Sequence, residues 1–199
     1  MRFFQRLLAA RDGSSAAEFA LVLPLLVILV LGMIDAGRMM LTWNRAEKAA
    51  QMGVRYAAVT DMVASGLATY DFVAAGIPQG SVVPTSSFGK VSCDNASCTC
   101  AISPCPTLTR SATAFNNILA RMQALDGSIG AANLVIDYEN SGLGFSGNPT
   151  GAGIAPFITV RLQNMTFQPL VSQIFGGTLT LPAFTSILTM EDGQGTTSN

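Results

Sequence analysis

Residues 13–57 read GSSAAEFALVLPLLVILVLGMIDAGRMMLTWNRAEKAAQMGVRYA, and this stretch decides the fold. Gly13 is followed by four small residues, Ser14, Ser15, Ala16 and Ala17, then by Glu18. From Phe19 to Ile34 the chain is apolar apart from the interruptions at Pro24 and Gly32. As a helix this run covers ~24 Å, short of a hydrocarbon core of ~30 Å. Adding Ser14–Ala17 brings it close to full span, so a transmembrane segment is expected at about 16–36. Glu18 lies at the mouth of that segment. A carboxylate costs ~2.5–3.5 kcal/mol at mid-bilayer and less near the interface, so one placed here is a functional candidate.

Arg2, Arg6 and Arg11 precede the segment, against a single Asp12. The positive-inside rule leaves such an N-terminus in the cytoplasm and exports the remainder. A secretory signal peptide shares the basic start and apolar core. Glu18 would interrupt its apolar region, however. The chain also continues Met33, Ile34, Asp35, Ala36, Gly37, Arg38 with no prompt small-x-small cleavage site, and the helical pattern runs on.

Beyond the span, Asp35 and Arg38 are three apart and pair on one helix face. Trp43 lies where an indole sits among headgroups. Ala46, Ala49, Ala50, Gly53 and Ala57 then recur at helical spacing as a stripe of small residues, with Glu47, Lys48, Gln51 and Arg55 on the other faces. Such a stripe admits close approach of another element, either the protein's own head or a neighbouring subunit. The helix is expected to end near Thr60–Asp61, after ~45 residues and ~70 Å. Pro24 removes one backbone donor and is expected to kink it.

The order and spacing of Glu18-Phe19-Ala20-Leu21, Leu23-Pro24, Gly37-Arg38, Ala49-Ala50 and Gly53-Val54-Arg55-Tyr56-Ala57 resemble the N-terminal region of TadE-like proteins. These are minor pilins, or pseudopilins, of the tight-adherence (Tad/Flp) type IV pilus system. The resemblance covers roughly residues 13–57. It implies a leader, residues 1–13, removed between Gly13 and Ser14 by a membrane prepilin peptidase. Glu18 becomes the fifth mature residue, the position at which type IV pilins pair with a neighbour's new amino group. Phe19 stands where major Flp pilins carry tyrosine, and a large C-terminal region follows, so a minor component is implied. The implied partners are major and other minor pilins, the peptidase, inner-membrane platform proteins and membrane lipid. The implied location is the bacterial inner membrane, N-terminus inside and head in the periplasm, then the pilus or cell surface. The alternative is a permanently anchored periplasmic scaffold of the same machine.

Composition narrows the remaining classes. Of 199 residues, 49% are hydrophobic and 12% charged, too apolar for a disordered chain. The net charge of −1 and the lack of a basic surface give nucleic-acid binding little support. Histidine is absent, which removes the commonest general base and metal ligand. No nucleophile–base pair is visible, so no enzyme and no cofactor are expected. The Gly-rich GLGFSGNPTGAG lacks the lysine of a phosphate loop. Asp137 and Glu139 share a strand face and read as solvated, opposite Ile136 and Tyr138.

Residues 61–199 read as an exported α+β head, a small antiparallel sheet packed on the long helix. Residues 61–106 read mostly as loop, with a short helix around 63–75. Cys93, Cys98, Cys100 and Cys105 suggest two disulfides in an oxidising compartment. Cys93–Cys98 with Cys100–Cys105, or Cys93–Cys100 with Cys98–Cys105, are both open. A metal site lacks the paired CxxC spacing. A helix is expected over 108–125 and strands over 134–138, 157–168 and 178–190, the last broken at Pro182. The tail after Glu191 is expected to fray.

Overall fold

The computed structural model describes residues 14–147, 153–191, 193, 195 and 196. Helix α1 runs from Ser14 to Ala58, 45 residues with Pro24 inside it. The chain clusters into two compact units: Met1–Leu41 with Phe167–Leu179, and Thr42–Thr166 with Thr180–Asn199. The first brings a stretch from late in the sequence onto the apolar half of α1.

The second unit is α+β. A five-stranded antiparallel sheet has the order β2-β1-β3-β4-β7, made of Lys90–Cys93 (β1), Cys98–Ile102 (β2), Leu134–Glu139 (β3), Phe157–Leu162 (β4) and Phe184–Thr189 (β7). Alternation sets the register. Ile136 faces Val160 and Tyr138 faces Ile158, all four buried. A one-residue slip would turn this set to the other face. Helix α3, Ala112–Gln123, is capped by Ser111, whose hydroxyl accepts from the Ala114 N–H at 3.2 Å. Its buried residues, Ala114, Phe115, Ile118, Leu119 and Met122, recur at spacings that fit one helix face.

The C-terminal half of α1 belongs to this core. Ala46, Ala49, Ala50, Val54, Ala57 and Ala58 are at most 3% exposed, whereas Glu47, Lys48, Gln51 and Arg55 are exposed. Gly53 is set by close approach: a β-carbon there would lie 2.6 Å from the Met122 sulfur. Trp43 stands edge-on to Phe184, ring centres 5.1 Å apart.

Four expectations need correction. The helix expected around 63–75 is only the single turn Ser65–Ala68 (α2). The cysteine stretch is not loop but the β1–β2 hairpin, its short strands KVSC and CTCAI mixing polar residues with cysteine, Val91, Ala101 and Ile102. The 157–168 strand is interrupted: β4 ends at Leu162, Asn164 takes a left-handed φ of 55°, and Thr166–Phe167 (β5) pairs instead with Leu179–Thr180 (β6). Asparagine tolerates that conformation better than most residues. Of the tail expected to fray, the described residues Gly195 and Thr196 are tied back, as is Glu191, while 192, 194 and 197–199 lie outside the described residues. Glu191 N–H donates to the Ala58 carbonyl at 3.0 Å, and Asp61 and Gly195 exchange two hydrogen bonds. The Tyr56 hydroxyl donates to the Thr196 carbonyl.

Candidate functional site

The residues expected to carry assembly lie at the start of α1. Gly13 and the leader lie outside the described residues; Ser14 opens the helix. Glu18, Phe19 and Pro24 are all exposed, Phe19 by 61%. The most apolar window of the helix buries none of its length within the chain. Leu21, Leu25 and Leu29 are 59–77% exposed. A helix this apolar and this bare is long enough to cross a membrane. Water is a poor environment for it, since exposing a leucine costs ~1.5–3 kcal/mol relative to burial.

The apolar run ends at Asp35, which is only 7% exposed. Its carboxylate accepts the Leu170 N–H at 2.8 Å, the Val171 N–H at 3.0 Å and an Arg38 guanidinium N–H at 2.9 Å. The Arg38 guanidinium carbon also stands 5.4 Å from the Phe167 ring centre. The i,i+3 pair is the one the spacing predicts. The two backbone donors are not, because they lie some 135 residues away in sequence. These bonds fix the segment between β5 and β6, which contains the short helix α4 (Ser172–Phe175). Between the segment and α1 lies a cleft of about 360 Å³, mostly apolar, bounded by Gly32, Ala36, Met39, Phe167, Val171 and Leu179. A sequence signal was present: no Asp, Glu, Lys or Arg occurs between Arg161 and Glu191.

The small-residue stripe, Ala46, Ala49, Ala50, Gly53 and Ala57, is buried inside the second unit. The disulfides are Cys93–Cys98 and Cys100–Cys105. Among the described residues no group of three or more acidic, cysteine or histidine side chains is placed to hold a metal. Asp137 overturns the solvated-face reading, being fully buried. Arg161 Nη2 donates to its Oδ1 at 3.2 Å, and Lys90 Nζ lies 3.3 Å from its Oδ2. Arg161 Nε is 3.0 Å from Oδ2 but off the hydrogen-bonding direction. Glu139 stays largely exposed, its carboxylate 3.6 Å from Lys90. Two cations stand over Asp137. Tyr138, on the opposite face, has its phenol pushed well up by burial, opposed by the Val63 N–H that donates to it at 2.8 Å.

An α+β unit and, among the described residues, one N-terminal helix long and apolar enough to cross a membrane define the class. Within it, residues 13–55 match the family model of TadE-like protein, a match that takes in Gly13, Glu18 and most of α1 and stops before the head. No curated protein and no solved structure matches the chain significantly.

Proposed function

We propose that the chain is a minor pilin of a Tad-type pilus, a structural subunit that assembles or primes the filament after cleavage between Gly13 and Ser14. One observation carries the reading. The stretch that matches the TadE-like family opens at Gly13, places Glu18 five residues on, and continues as a helix whose apolar side chains the chain itself leaves bare. Cleavage would create an α-amino group at Ser14, with an ordinary pKa of ~7.7–8.0, hence largely cationic at neutral pH.

Magnitudes indicate what Glu18 would do. Moving the apolar helix from lipid to a filament core exchanges one apolar surrounding for another, so little hydrophobic free energy separates the two. A buried amine without a partner costs several kcal/mol. The pairing of Glu18 on an incoming subunit with the Ser14 amine of its neighbour is therefore the directional term that sets register. The head, held by its own core, is then free to contact other pilins and the platform proteins of the inner membrane.

N-terminal mass spectrometry of the protein from its own membrane tests the first step. The expected result is a chain beginning at Ser14, lost in Gly13→Ala and retained in Glu18→Ala. Glu18→Ala is then expected to be missing from purified filaments that contain the wild-type chain. An intact N-terminus in wild type would sink the processed-subunit reading and leave a permanently anchored periplasmic scaffold.

A further inference from the structure

We propose that the segment Phe167–Leu179 is a second membrane-contacting element, which seats a phospholipid acyl chain of the leaflet at the Asp35 end in the cleft it forms with α1. The proposal rests on the membrane span of the preceding section but adds a site to it. Depth is the first argument. Counting from Ala16 at ~1.5 Å per residue, Gly32 lies ~24 Å along the helix and Met39 ~35 Å. The cleft between them straddles the far edge of a ~30 Å hydrocarbon core.

Composition is the second. The chain from 162 to 190 carries no formal charge, an unusual stretch for one exposed to water. Leu179 is 50% exposed, and the cleft walls beside it are apolar. The polar side chains of the wall are Asp35, Ser172 and Thr178. Asp35 is held by two backbone N–H groups, which lets its carboxylate sit at this depth without exposure to lipid. Arg38, its side chain 44% exposed, is one turn further from the apolar run, where a guanidinium meets lipid phosphates. Arg38 is bonded to Asp35 and stands over the Phe167 ring, both in the cleft wall, so an apolar slot with a guanidinium beside it matches an acyl chain ending at a phosphodiester. Continuity is the third argument, because the slot opens on the same helix that spans the bilayer.

The test uses the full chain, disulfides intact, one copy per nanodisc of phosphatidylethanolamine and phosphatidylglycerol. A fluorophore is attached at Thr178→Cys or, separately, at Val30→Cys, and nitroxide lipids labelled near the glycerol end of the acyl chain serve as quencher. The expected result is blue-shifted emission and quenching at position 178, comparable with position 30. Adding Asp35→Ala is expected to abolish quenching at 178 and leave position 30 unchanged. Quenching at 30 with none at 178 would overturn this inference alone. Absence of quenching at both would overturn the span itself. A blue shift at 178 that arises only in discs holding two copies would assign the cleft to a second chain, and would also overturn the proposal.

Discussion

Asp137 shows how far a single position can depart from its local pattern. Two acidic residues on alternate positions of a strand read as a wet face, and Glu139 behaves that way. Asp137 does not, because Lys90 from β1 and Arg161 from β4 close over it. Nothing near Asp137 in sequence reports those two residues; strand order alone brings them together. A hydrogen bond to a charged group contributes ~1.5–3 kcal/mol, and a buried charge that loses its partner is costly. Arg161→Met is accordingly expected to destabilise the head by about 2 kcal/mol. In a denaturant-unfolding cycle with Asp137→Asn, the double variant should lose clearly less than the sum of the single losses. Additive losses would show that the pair is not coupled. Asp35 is the same case in a different setting: its link to Arg38 was legible from spacing, whereas its link to the 170–171 backbone was not.

At the scale of elements, periodicity served where apolar side chains carried it. The α1 stripe, the buried face of α3 and the strands β3 and β4 are all visible in the order of residues, and Pro182 does separate β6 from β7. The β1–β2 hairpin was invisible because its strands are short and its inward positions, apart from Val91, are Cys93 and Cys98, which read as crosslinks before they read as core. Inside that ring Asp94 accepts the Ala96 and Ser97 N–H groups, each at 2.8 Å. These bonds, with Arg110 nearby, hold its carboxyl below the ordinary 3.8. A depressed carboxyl contributes stability above its unfolded pKa and loses it as pH falls through the folded one. Thermal midpoints of wild type and Asp94→Ala should therefore differ at pH ~5 and converge toward pH ~2. A constant offset across that range would refute the role given to this carboxylate.

For the whole molecule, the division into units has a practical form. The residues Ala46–Ala58 are core of the α+β unit, although by sequence they belong to the long helix. A chain beginning at Thr42 should remain folded, with a cooperative thermal transition. One beginning at Asp61 also removes eight buried residues, Gly53 and Thr60 among them, and should aggregate or melt without cooperativity. The stripe itself is small, but its loss uncovers the core side chains packed on it, Met122 against Gly53 among them, in a domain held together by only ~5–15 kcal/mol. Equal transitions for the two chains would mean that the stripe is dispensable and its burial incidental.

The return of the chain past Glu191 to Ala58 and Asp61 also sets an order of events. Strand β7 forms one edge of the sheet and is the last of the described strands, and Glu191 and Gly195 bond back to Ala58 and Asp61. At ~5–20 residues per second, several seconds separate the emergence of α1 from that of the strand that completes the fold. During that interval the head is an unfinished sheet and stays threadable. If the head is exported as proposed, a translocation channel would meet it as an extended polymer, with its disulfides still to form. Completion waits for this strand, so on the proposed function the timing of export would be written into the position of one edge strand.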